Sequence, residues 1–85
     1  AIILGASTVT GTYSVTAGGA ITESGDLVIT GVTTLVAGSN AITLDRTGNN
    51  FQAAVIVTSG GNVQLVDTNA IILGASTVTG TYAVT

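Results

Sequence analysis

Cysteine, histidine and proline are all missing from this chain. Without cysteine there is no disulfide staple and no thiolate metal site. Without histidine the commonest general base and the commonest transition-metal ligand are gone. Without proline every non-terminal backbone N–H is free to join a hydrogen-bonded ladder. Charge is also scarce. Glu23, Asp26, Asp45, Arg46 and Asp67 are the whole set, with a net charge of −3. A single cation cannot displace the counterions of a phosphate backbone, so no nucleic-acid partner is expected. A basic helix lying on a membrane surface is disfavoured for the same reason. No uninterrupted apolar run approaches the roughly 20 residues that span a bilayer, so no membrane insertion is expected. No charged segment leads into an apolar one, so no signal peptide is expected within these residues.

What is present is apolar and β-branched. The chain is 46% hydrophobic with 12 glycines, which does not fit the low hydrophobicity of disordered segments. At 85 residues it is one domain at most and small for an independent core. With no staple, stability must come from repetitive hydrogen bonding, apolar stacking and neighbouring units.

The opening of the chain returns at its end. Ala1 to Thr16 reads AIILGASTVTGTYSVT and Ala70 to Thr85 reads AIILGASTVTGTYAVT, differing only at Ser14 and Ala83. The offset from Ala1 to Ala70 makes residues 1–69 one full repeat and 70–85 the start of the next. Long near-identical repeats mark arrays whose units stack on their neighbours. The segment therefore reads as an excerpt from a longer fibre.

Within the repeat the dominant period is two. Thr8-Val9-Thr10, Leu27-Val28-Ile29-Thr30, Ala53 to Thr58 and Val63-Gln64-Leu65-Val66 are strand-like runs. Threonine, valine and isoleucine suit a pleated surface. Gly- and Asn-rich turn signals separate these runs, for example Ala17-Gly18-Gly19, Ala37-Gly38-Ser39-Asn40 and Ser59-Gly60-Gly61-Asn62. Helix is not expected, because glycine and β-branched residues recur too often.

A weaker internal repeat aligns Ile21, Ile42 and Val63, which follow one another at equal intervals. A second alignment, Leu4, Leu27, Phe51 and Leu73, has nearly equal, slightly longer intervals. The repeat thus divides into three coils averaging about 23 residues each, a unit length that stacks in solenoids. The expected fold is all-β: a parallel β-helix, or β-solenoid. Its coils would stack at about 4.8 Å and rise roughly 17 Å in all. Leu4, Leu27, Phe51 and Leu73 would form one inward ladder, and Thr16 and Thr85 would share a face three coils apart. A small antiparallel sandwich also fits the turn spacing. The sequence recurrence argues against it, since first and last strands of a sandwich need no common sequence.

The runs LGASTVTGTYSVTAGGAIT (4–22), GDLVITGVTTLVAGSNAITLD (25–45) and NNFQAAVIVTSGGNVQLVD (49–67) resemble the repeats of large bacterial surface proteins of the filamentous haemagglutinin type. The resemblance covers essentially the whole chain. It implies a right-handed parallel β-helix, export by two-partner secretion, and a role in adhesion, biofilm formation or toxin delivery at a tip. It transfers only to the shaft.

No residue stands out as catalytic, metal-binding or cofactor-binding. Asp45-Arg46 with Thr47-Gly48-Asn49-Asn50 has oxygen ligands for calcium, but the spacing matches neither an EF-hand nor a glycine-rich nonapeptide array. It reads as an outward loop with a weak surface ion pair. Glu23 and Asp26 bracket a turn and lack the supporting groups of a glycosidase pair. Thr8-Val9-Thr10 and Thr77-Val78-Thr79 resemble the Thr rows of ice-binding solenoids, but the aligned Val28-Ile29-Thr30 and Ala53-Ala54-Val55 break the rank. Asn40, Asn62 and Asn69 are candidates for an asparagine turn ladder. Tyr13 and Tyr82 could form a sugar contact, but read more simply as half-buried strand residues.

The expectation is a non-enzymatic shaft segment of a secreted adhesin or extracellular fibre at a bacterial surface. Its partners would be adjoining copies stacked end to end, and beyond them other cells or surface glycans. The alternative is a flat-face module binding ice or carbohydrate.

Overall fold

The computed structural model describes residues 1–85 and contains no helix. Twelve short strands follow one another: β1 (Ile2–Leu4), β2 (Ser7–Val9), β3 (Tyr13–Thr16), β4 (Ile21–Glu23), β5 (Leu27–Ile29), β6 (Thr33–Val36), β7 (Ile42–Leu44), β8 (Asn50–Phe51), β9 (Ala54–Ser59), β10 (Val63–Leu65), β11 (Ile72–Leu73) and β12 (Tyr82–Val84). They form three parallel sheets visited in rotation. Face 1 is β1-β4-β7-β10-β12, face 2 is β2-β5-β8, and face 3 is β11-β9-β6-β3. The chain is a three-faced parallel β-solenoid of about four turns.

Alternation along each strand builds the interior. On face 1, Ile2, Ile21, Ile42, Val63 and Tyr82 are in register. The alignment of Ile21, Ile42 and Val63 is therefore a true column. Face 2 stacks Val9, Ile29 and Phe51. Face 3 stacks Val15, Leu35 and Val57, and beside them Tyr13, Thr33, Val55 and Leu73. Fourteen buried apolar side chains make one continuous core.

Two turns need glycine. Gly38 has φ of +60°, a conformation costly for residues with a Cβ. At Gly31 a Cβ would lie 2.5 Å from the Gly11 carbonyl oxygen, because the corner stacks backbone on backbone.

The second expected ladder is not there. Leu4 lies on face 1, Leu27 and Phe51 on face 2, and Leu73 on face 3. Even Leu27 and Phe51 are out of register, since Leu27 pairs with Ser7 and Phe51 with Ile29. Equal spacing misleads because corner loops differ in length while strand registers do not. The coils are also shorter than the average expected from the repeat. The steps from Ile2 to Ile21, Ile42, Val63 and Tyr82 on face 1 all fall below it, as do those from Val9 to Ile29 and Phe51 on face 2. Only Val36↔Ser59, at a bulge, matches it. Three coils therefore use up less chain than one repeat supplies. Thr16 ends a strand of face 3, while Thr85 follows β12 on face 1, so the two do not share a face.

Candidate functional site

All five charged residues gather at one corner, where the chain passes from face 1 to face 2. Glu23 ends β4 and Asp26 precedes β5; Asp45 and Arg46 lie between β7 and β8; Asp67 follows β10. Coils stack there, so residues about one coil apart in sequence become neighbours. Arg46 Nε donates to Asp26 Oδ1 at 2.9 Å, and the Arg46 backbone N–H donates to Glu23 Oε1 at 3.0 Å. The ion pair thus joins adjacent coils; it does not link Arg46 to its neighbour Asp45. Both side chains are nearly half exposed, so the pair contributes about 0–1 kcal/mol. Asp26, Asp45, Arg46, Thr47 and Gly48 line an open hollow with no apolar side chain in its wall.

Asn49 holds this corner together. It is fully buried. Its Oδ1 accepts from the Leu27 N–H at 3.0 Å, and its Nδ2 donates to Glu23 Oε1 at 2.7 Å and to the Leu44 carbonyl at 3.3 Å. Its own carbonyl accepts from the Thr68 N–H in the coil above at 2.7 Å. One side chain and its peptide thus tie three coils. The expected outward loop therefore holds for Asp45 to Gly48, all exposed, and fails for Asn49. Alternation counted back from Phe51 puts Asn49 inward, and that is the signal the sequence offers.

Sequence reasoning misses Asp67 as well. It is 8% exposed; its Oδ2 accepts from the Phe51 N–H at 3.3 Å and its Oδ1 from the Asn69 N–H at 3.1 Å. Asn69 Nδ2 donates to Asn50 Oδ1 at 3.2 Å. Face 2 has no strand in this coil, and these two side chains occupy the edge of β8 instead. Cross-coil asparagine pairing therefore links Asn50 to Asn69. Asn40 and Asn62 instead bond backbone at the corner between faces 3 and 1: Asn40 Nδ2 reaches the Gly18 and Ala37 carbonyls, and Asn62 Oδ1 takes the Thr81 N–H.

The corner is built for inter-coil bonding. Glu23 and Asp26 do not converge on an open space: Glu23 Oε1 is occupied by two donors and Asp26 by Arg46, while Glu23 Oε2 is buried without a partner. No three Asp or Glu side chains come together to hold a metal. The outward column of face 2 runs Thr8, Val28, Asn50, so it carries no threonine rank. The break at Val28 is as read from the sequence; the next residue is Asn50 and not Ala53. Tyr13 and Tyr82 are both partly buried and stand on different faces.

The fold and this corner define a repeat β-solenoid. The chain belongs to a family described as repeats of unknown function (DUF5649), whose profile matches residues 1–58 and 60–85. No curated protein and no solved structure matches it.

Proposed function

We propose that this chain is a shaft segment of a secreted β-helical fibre, displayed at a bacterial surface and similar to filamentous haemagglutinin repeats. It would serve adhesion or cell–cell contact as a stiff rod and would carry no catalytic activity. The carrying observation is the recurrence of the repeat on a stacked coil. β11 and β12, built from the returning sequence, pair in parallel with β9 and β10 of the coil before them. Unpaired strand edges are templates for further strands, and the strands best matched to continue these coils belong to the next copy. The partner is therefore an adjoining copy stacked along the axis.

The test is hydrodynamic. Chains of one, two and four repeats are compared by sedimentation and small-angle scattering. The reading expects the 85-residue chain to aggregate, fibrillise or stay unfolded, and longer chains to become rods whose length grows linearly with repeat number. A stable, soluble, folded monomer of the 85-residue chain would count against it.

A further inference from the structure

The end formed by residues 70–85 repeats the start of the chain with Ala83 in place of Ser14, yet it sits on different faces. Tyr13–Thr16 forms β3 on face 3, and the equivalent Tyr82–Val84 forms β12 on face 1. Ser7–Val9 forms β2 on face 2, and the equivalent stretch runs along the end of β9 on face 3. There Thr77 donates its N–H to the Val57 carbonyl and Val78 bridges Gly60. Both segments have advanced by one face. The first segment has advanced by two, from β1 on face 1 to β11 on face 3, because Asp67 and Asn69 occupy the edge of face 2.

The register explains the advance. Three coils carry face 1 from Ile2 through Ile21 and Ile42 to Val63, whereas the sequence equivalent of Ile2 in the next repeat is Ile71. The surplus stretch, from Val63 to Ile71, is about one side of a coil. Its consequence shows at a single repeat position. Leu4 packs inward on face 1, whereas Leu73 stands in the inward column of face 3.

We infer that the adjoining copy docks on this end rotated by one face, so that successive repeats turn by about 120° around the three-faced solenoid axis. The inference rests on the array reading above. The rise per repeat becomes about three and a third coils, roughly 16 Å, instead of the roughly 14 Å of three in-phase coils. The corner holding Glu23, Asp26, Asp45, Arg46 and Asp67 then reappears at each of the three corners in turn. No side of the fibre is left uniformly uncharged, which limits lateral association of apolar faces.

The experiment uses residues 1–69 placed twice ahead of residues 70–85. The chain has no cysteine, so Ser14→Cys in both copies takes spin labels only there. Ser14 lies mid-strand and is exposed, as is its equivalent Ala83. Electron–electron double resonance measures the separation of the labels, and scattering measures the rod. Rotation predicts a separation of about 20 Å before the outward reach of the labels widens it, from a rise of roughly 16 Å combined with the half-side, about 12 Å, that separates the middles of adjacent faces about seven residues wide at ~3.3 Å each. A rod with labels about 14 Å apart, the in-phase rise, overturns the rotation and leaves the array reading standing. A chain that does not form a rod overturns the array reading and the rotation with it.

Discussion

The Asn49 amide donates to the Glu23 carboxylate at 2.7 Å, across the boundary between two coils and beneath the surface of the charged corner. Asn49 also satisfies the buried Leu27 N–H. Asn49→Ala leaves that N–H and Glu23 Oε1 short of a partner, at a cost of about 2–4 kcal/mol. Asn49→Asp is expected to be at least as damaging, since it removes the donor and sets a carboxylate against a carboxylate. Urea unfolding of a soluble multi-repeat chain checks both; a loss below about 1 kcal/mol for either, the net worth of one ordinary hydrogen bond, would remove Asn49 from its central position.

Thr33 is 1% exposed, and its Oγ1 has no hydrogen-bond partner. It stacks between Tyr13 and Val55 in an inward column. Valine has the same branched shape and strand preference without the hydroxyl. Thr33→Val is expected to stabilise by about 1 kcal/mol, since an unsatisfied buried hydroxyl costs about that much. Thermal melting reads the sign, and a lower melting temperature would contradict the account.

Arg46→Ala removes the one ion pair and the only cation. Because the pair is nearly half exposed, the loss is expected to stay under about 1 kcal/mol and to shrink further in high salt. Unfolding at low and high ionic strength tests this. A larger, salt-independent loss would mean that packing of the arginine stem matters more than its charge.

Leu4 and Leu73 occupy the same place in the repeat with different burial. Leu→Ala in the last copy of a chain is expected to cost less than about 1 kcal/mol, because little apolar surface is lost there. The same change in an interior copy, where a further coil covers it, is expected to cost about 2–4 kcal/mol. Equal costs at both places would mean that no coil forms above Leu73.

Much of the fold was legible. Period two, turn residues and the long recurrence point to stacked parallel coils, and the column through Ile21, Ile42 and Val63 can be read directly. The ladder through Leu4, Leu27, Phe51 and Leu73 could not be, because similar spacing does not reveal which corner absorbs extra residues. The loop from Asp45 to Asn49 is longer than the matching turn at Gly5-Ala6, and the shorter corner before β10 offsets it, so Val63 returns to register with Ile42 while the residues between are displaced. The charged corner was hidden for the same reason: Glu23 and Arg46 are far apart in sequence and adjacent only once coils stack. Asn49 and Asp67 looked like turn residues because asparagine and aspartate favour turns, and only their inward phase beside Phe51 and Leu65 marks them as interior.

The sequence by itself determined that this chain is a repeat of parallel β-coils. Alternation chooses which side chains face inward, and recurrence demands that similar units stack. Tertiary structure alone decided which face each copy occupies, because that depends on strand register and on the lengths of the corners, which sum along the chain. A remainder of about one coil side per repeat is invisible in composition or motif. It turns the next copy onto a new face because each residue added at a corner must be accommodated before the next strand can pair.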